Sequence, residues 1–367
     1  MGAIIIVDAF WGDAGKGKFC AYLTIENKIN LVVRAGTGTN AGHSFYIDEK
    51  FIKCRMIPLG SAVSDAKAII SSGVAVDPDI FLEEAESLNV KGRVFVDWRC
   101  PIIEKKHIED ELNDEKMREI DSTKSGTGSA RADFVMRRGK QAKNLNLLSD
   151  YLIDGVSVIN ETARKETIII EGSQATFLSL YSSDRYPYVT SDNCTTSAFI
   201  DDAGLNWQLV ERVVLLVKCL PTCVGFGPLP YEMNSKQIED MGLQEKGVNT
   251  GREKRRSYQI DWERLKYAVL VNGPTEIALT FCDQFDPDMK GVRDENGVTK
   301  KITNLIKEVE EKTGIPVTYL STGSQLLVHR IENITSNTGK IESPYISTIS
   351  YIIANNISHS CYCFLDI

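Results

Sequence analysis

The chain has little that would staple it, anchor it in a membrane or draw it to a polyanion. Its nine cysteines include no C-x-x-C pair and its four histidines are scattered, so no disulfide framework or zinc pattern is legible. Free thiols in a reducing cytoplasm are expected instead. Long apolar runs are missing. The opening MGAIIIVDAF is too short for a membrane span and has no basic segment before it, so neither a signal peptide nor a membrane partner is expected. Gly2 is followed by Ile6 where a myristoylation motif needs Ser or Thr. Positive charge is in deficit, with 42 Lys and Arg against 50 Asp and Glu, a net −8. That balance argues against nucleic acid as a partner and leaves room for a local basic pocket.

What remains is an ordinary globular composition, 43% hydrophobic and 25% charged over 367 residues, enough for a buried site without disulfides. Seven short apolar runs stand out: AIIIVDAF (3–10), NLVVRAG (30–36), GRVFVDW (92–98), TIIIEGSQ (167–174), RVVLLVKCL (212–220), EIALTFCD (276–283) and PVTYLSTG (316–323). They are β-branched and do not alternate, the pattern of strands buried on both faces of a parallel sheet. Charged helical stretches lie between them, at 79–90 and 302–314. The second spaces Ile302, Leu305, Ile306 and Val309 on one helical face and stops at Gly314. The expected fold class is α/β, a P-loop-like, mainly parallel central sheet with helices on both faces. Most runs end in small or polar residues, where open α/β sheets bind ligands. Three stretches read as long loops: 122–133, 181–197 and 245–257. Residues 1–330 read as one domain. Residues 331–367, poor in charge and rich in Ser, Ile and Asn, read as a C-terminal extension without an assigned role.

The first run opens into FWGDAGKGKF, which fits seven places of the phosphate-loop pattern G-x-x-x-x-G-K-[ST]. Gly12, Gly15 and Gly17 let backbone N–H groups crowd a phosphate, and Lys16 and Lys18 add charge. The eighth place should carry a magnesium-binding hydroxyl and is Phe19. Asp13 sits inside the loop, where phosphates would repel it unless a metal or a proton compensates. It is read as a magnesium ligand, a general base or both, against the plainer reading of a helix cap. In GTGTNAGHSF (36–45), Asn40 and His43 are polar groups in a glycine-rich turn. Gly42 can bring its carbonyl to a metal, and His43 can serve as an acid or a hydrogen-bond donor. NTGREKRRS (249–257) concentrates Arg252, Lys254, Arg255 and Arg256, either a solvated basic loop or a set of forks for an anionic substrate. Asp283 ends another run with a carboxylate able to accept from guanine N1–H and its 2-amino group.

WGDAGKGK, GTNAGHS, EGSQ followed by YPYVTS, GFGPLPYEM and NTGREKRR resemble, in that order, the motifs of adenylosuccinate synthetase, in particular its short archaeal-type members. The resemblance covers about residues 1–330. It implies a ligase that joins IMP to L-aspartate through 6-phosphoryl-IMP while GTP becomes GDP and phosphate. It also implies one Mg²⁺ per subunit and a homodimer. By position, Asp13 resembles the base that takes the N1 proton and ligates the metal, His43 the acid that supports O6, and Gly42 the metal's carbonyl ligand. Lys16, Asn40, Thr123, Gln174 and Thr190 resemble IMP contacts, and Arg137 an arginine that acts in the partner subunit's site. Thr250 and Arg252 resemble the aspartate-binding loop. Gly12, Gly15, Lys16, Gly17, Lys18, Asp283, Thr322 and Gly323 resemble the GTP site.

The chain departs from the family pattern in several places. Phe10 and Ala14 replace Gln and Glu, Cys223 replaces an arginine, Lys124 and Ser129 replace a glycine and a proline, and Phe281 stands where a lysine is common. Glu253 interrupts the arginine run, leaving Lys254 and Arg255 as alternatives for its second member. Two other readings stand beside the first. One is the related phage enzyme that uses dGMP, in which Ser is common where this chain has Asp13. The other is a nucleotide-binding regulator without catalysis, which would be expected to lack Asp13 or His43.

Overall fold

A computed structural model describes residues 1–47, 50–247, 251–323 and 328–331. Fourteen strands are found among them: β1 (Gly2–Asp8), β2 (Leu31–Ala35), β3 (His43–Ile47), β4 (Lys50–Cys54), β5 (Lys67–Ile70), β6 (Val94–Asp97), β7 (Leu152–Ile153), β8 (Thr167–Gly172), β9 (Val210–Lys218), β10 (Thr222–Cys223), β11 (Arg255–Arg256), β12 (Glu276–Thr280), β13 (Val317–Ser321) and β14 (Val328–Arg330). Ten form one sheet in the order β14-β13-β12-β9-β1-β8-β2-β5-β6-β7. Every pairing in it is parallel except β13 with β14. All seven apolar runs supply strands of this sheet. β5, β7 and β14 are additions, as are the hairpins β3–β4 and β10–β11.

The missing alternation now has its cause. Ile5 and Val7 pack on one face with Val33, Ile170, Leu215 and the helix residues Phe199 and Ile306. Ile4 and Ile6 pack on the other with Val32, Ile169 and Leu216. Helix α1 (Lys16–Glu26) covers this second face with Phe19, Cys20 and Leu23. Phe19 is therefore a core residue. It is 1% exposed and meets the Tyr319 ring edge-on, centroids 5.1 Å apart.

The two helical stretches form the helices Pro78–Ser87 and Lys300–Thr313, and Gly314 closes the latter in a left-handed cap at φ 70°. Two expectations need correction. The stretch 122–133 is not all loop, because the helix Thr127–Val135 starts inside it. Asp283 does not end a strand: β12 stops at Thr280, and Asp283 lies in the short helix Cys282–Phe285. Residues 332–367, nearly all of the expected extension, lie outside the described residues, as does Thr250.

Candidate active site

Four neighbouring strands of the sheet, β9, β1, β8 and β2, each carry a buried charge near the carboxyl end. These are Asp8 in β1, Arg34 in β2, Glu171 in β8 and Lys218 in β9, none more than 2% exposed. Buried charges must be paired, and among these Asp8 and Glu171 hold Lys16 and His43, which line the cavity. Asp8 accepts from the backbone N–H groups of Phe10 and Ala14 at 3.1 and 3.3 Å, and from Lys16 Nζ at 3.1 Å. Lys16 also donates to the Gln174 carbonyl at 2.5 Å. The glycine loop is thus strapped to the strand it leaves.

Gly12, Asp13 and Gly15 all have left-handed backbones, with φ of 98°, 65° and 83°. That conformation is open to glycine and unfavourable for an aspartate, so Asp13 is held there by its surroundings. A side chain at Gly17 would lie 2.6 Å from the Cβ of His43, so only glycine lets α1 approach the second motif. The two motifs line one cavity of about 570 Å³ with Thr123, Gln174, Thr190 and Arg252. This size suits small-molecule substrates.

Asp13 faces the ammonium of Lys254. Burial opposes ionisation of the carboxyl, but the charges of Lys254 and Lys218 outweigh it and hold the pKa below the ordinary value. Behind this pair sits Glu245, 3.4 Å from Lys254, 3.7 Å from Lys218 and 2.9 Å from Arg256. Burial works against the Glu245 charge too, yet the three cations hold its pKa at about 2. The two alternatives left by the basic stretch lie in different surroundings. Lys254 lines the cavity, whereas Arg255 pairs with Glu232 and donates to the carbonyls of Gly225 and Gly227. Arg256 is buried against Gln284 and Glu245.

His43 is buried beside Glu171, its Nδ1 facing the carboxylate. Arg34 Nη1 donates to the same carboxylate at 2.5 Å. Burial, reinforced by the Arg34 charge, lowers the imidazole pKa to about 4 against the pull of Glu171. His43 is therefore neutral at pH 7. Its Nδ1 lies between the Glu171 carboxylate, which can only accept, and Arg34 Nη1 at 2.8 Å, which can only donate.

The remaining expected residues divide. Asn40 donates to Thr190 Oγ1 at 3.0 Å and accepts from Thr37 at 2.9 Å, so two motifs meet directly. Thr123 lies 3.2 Å from Ser125 Oγ in a row of hydroxyls. Arg252 pairs with Asp121 at 3.0 Å and donates to its carbonyl, beside Thr123. Gly42 lines the cavity, as does Gly323, whose carbonyl accepts from Lys18 Nζ at 2.6 Å. Burial lowers the Lys18 pKa to about 8, against the attraction of Asp283. Three residues stand apart from the cavity lining. The Thr322 hydroxyl donates to the Val292 carbonyl at 2.7 Å. Asp283 keeps a buried Oδ1 without a partner among the described residues. Arg137 is exposed, in a left-handed turn after the helix Thr127–Val135.

Sequence reading missed Asp8, Arg34, Glu171, Lys218 and Glu245. For the first four a signal was present, a charge near the carboxyl end of an apolar strand run. Glu245 had none.

A sequence profile described as adenylosuccinate synthetase matches residues 5–149 and 140–293. The adenylosuccinate synthetase of Archaeoglobus fulgidus is 44% identical over 328 residues, 89% of this chain and 97% of that protein. The chain belongs to the adenylosuccinate synthetase family. The Methanocaldococcus jannaschii adenylosuccinate synthetase is 43% identical over 88% of the chain and 94% of its own length. Two solved structures share the fold at lower identity. One is a fully ligated adenylosuccinate synthetase of Plasmodium falciparum, with TM-score 0.80, 20% identity and coverage of 90% of this chain and all of that one. The other is a succinoaminodeoxyadenylate synthetase of cyanophage S-2L bound to dGMP and dATP, with TM-score 0.76, 24% identity and coverage of 90% and 95%. The adenylosuccinate synthetase fold thus accounts for the sheet order and for a cavity at the carboxyl ends of the strands.

Proposed function

We infer that this chain is the ligase that joins IMP to L-aspartate, with GTP converted to GDP and phosphate through 6-phosphoryl-IMP. The observation that carries the reading is an ionised carboxylate in a left-handed turn, Asp13, sharing one cavity with His43 and the glycine loop.

Asp13 takes the N1 proton of IMP. This makes O6 nucleophilic toward the terminal phosphoryl group, and the aspartate amine then displaces the phosphate at C6. Lys254 neutralises Asp13 in the ligand-free protein and turns to anionic substrate groups when they arrive. His43, oriented by Glu171, supports O6. The acid role needs a proton at Nε2, and the negative charge of a bound polyphosphate favours that proton by raising the imidazole pKa. Lys16, Gly12, Gly15, Gly17 and Lys18 hold the polyphosphate. Asn40, Thr123, Gln174 and Thr190 hold IMP, and Thr250 with Arg252 holds aspartate. Asp283 and the Thr322-Gly323 turn read guanine. The unpartnered Asp283 oxygen suits a base that offers N–H groups.

Among the described residues no three His, Cys, Asp or Glu side chains gather into a metal cluster. This donor set fits magnesium, which relies on substrate phosphates plus one or two protein oxygens. Asp13 and the Gly42 carbonyl would hold one ion per subunit, where it would neutralise charge on the transferring phosphoryl group.

The working unit is proposed to be a homodimer in the cytoplasm, with Arg137 reaching the partner's nucleotide. The exposure of Arg137 supports that role. Seven cysteines are free and buried, and among the described residues no helix is long and apolar enough to cross a membrane. Residues 1–330 are proposed to act as one domain, since β14 extends the sheet that β1 centres.

A substrate panel tests the reading: IMP or dGMP, each with GTP or ATP, plus aspartate and Mg²⁺. Turnover is expected with IMP and GTP alone. Turnover with dGMP only, or equal rates with ATP, would overturn the assigned substrates.

A further inference from the structure

Arg185 is a buried cation with no carboxylate partner among the described residues. It is 2% exposed and lines the cavity. Nη2 donates to the Phe226 carbonyl at 3.0 Å and lies 3.4 Å from Cys223 Sγ. The guanidinium carbon is 5.9 Å from the centroid of the Trp11 ring. Ser183 Oγ accepts from its backbone N–H at 3.1 Å, which fixes the start of the side chain. Three walls meet here: the opening loop through Trp11, the loop that carries Thr190, and the turn Val224–Phe226.

Nε and Nη1 are buried and have no acceptor among the described residues. A buried N–H without a partner is unfavourable, and more so on a charged group. A side chain that keeps two such donors at a cavity wall is one whose acceptors arrive with a ligand.

The cavity's two ends indicate which ligand. A side chain at Gly15 would touch Phe281, near Lys18 and Gly323, whereas one at Gly12 would touch Leu178. Leu178 in turn accepts from the backbone N–H of Thr190 at 2.8 Å. Trp11, Leu178, Arg185 and Thr190 therefore form the end away from Lys18 and Gly323. If the polyphosphate takes the Lys18 end, the mononucleotide takes this one, and the role assigned to Arg185 rests on that reading of the function.

We propose that Arg185 is a specificity-determining residue of the mononucleotide end. Its two unused N–H groups donate to oxygens of the bound mononucleotide, while Nη2 keeps the wall formed by Val224, Gly225 and Phe226 against it. The planar fork suits two-point contact with oxygen acceptors, which a lysine ammonium cannot reproduce.

The test is calorimetric binding of IMP and of GTP to the full chain and to Arg185→Met, Arg185→Lys and the double variant Arg185→Met/Cys223→Arg. Cys223 is close enough for an arginine there to deliver its guanidinium to the same pocket. Expected is a loss of about tenfold or more in IMP affinity for Arg185→Met, with GTP affinity within about twofold of the parent. Arg185→Lys keeps the charge and falls between, and it keeps the test readable if Arg185→Met fails to fold. The double variant regains IMP binding. Unchanged IMP binding, or equal losses for IMP and GTP, overturns the proposal and leaves Arg185 a wall brace. A parent chain that binds GTP but not IMP overturns the functional reading and this proposal with it, an outcome distinct from losses confined to the variants.

Discussion

At the residue scale the site turns on one aspartate in a conformation that most side chains avoid. Asparagine tolerates the left-handed region about as well as aspartate does. Asp13→Asn should therefore keep the loop and nucleotide binding while removing the proton acceptor and the partner of Lys254. The expected loss in kcat is about 10²–10⁴-fold, with GTP affinity retained. Steady-state rates and calorimetry check it, and a near-parental kcat would remove Asp13 from the mechanism. Asp13 and His43 were legible because glycines surround them and glycine-rich turns announce close approach. Arg34 and Glu171, which set the protonation of His43, lie 137 residues apart in sequence and meet only through the pairing of β2 with β8. Each alone reads as an oddity in an apolar run, and only tertiary pairing turns two oddities into one device.

At the element scale, α1 explains why a near-perfect phosphate loop lacks its final hydroxyl. The helix turns that position toward the sheet, where Phe19 packs under Tyr319. Phe19→Ser would complete the motif on paper and hollow the core in fact. The expected result is a loss of roughly 3–5 kcal/mol in denaturant unfolding, with no gain in magnesium affinity. A second element-scale prediction concerns the helix Thr196–Ala203, which braces the loop after β2. Asp202 on that helix accepts from Gly36 N–H at 2.9 Å. Burial, helped by the Asp192 charge, raises its pKa to about 7. Between the unfolded pKa near 4 and this value the folded chain binds the extra proton, so stability falls as pH rises through that window and levels off above it. Asp202→Asn keeps an acceptor oxygen and should raise the melting temperature at pH 8 more than at pH 5. Equal shifts at both pH values would refute the buried titration. The strands were legible because burial on both faces enforces apolar runs. β3, β4, β5, β7, β10, β11 and β14 were not, because they are two or three residues long or mix charged and polar residues into the run, as HSFYI, KFIKC and KAII do.

At the scale of the whole molecule, Arg137 makes a prediction that a single chain cannot. Arg137→Ala and Asp13→Asn, each inactive alone, should regain part of the parental activity when mixed and allowed to exchange subunits. A mixed dimer then contains one site free of both lesions. Exchange without recovery, monitored by mass and activity together, would place Arg137 outside the partner's site. The order of assembly is set by another long-range feature. The bond from Lys18 to Gly323 closes the cavity across 305 residues, and β1 at the centre of the sheet waits for β8 and β9 before it has any neighbour. During synthesis, a ribosome-bound chain short of that turn has the glycine loop and most of the cavity lining, but not the carbonyl that holds Lys18. On the proposed reading, in which the Lys18 end takes the polyphosphate, the nucleotide site gains its last contact only when that turn has been added.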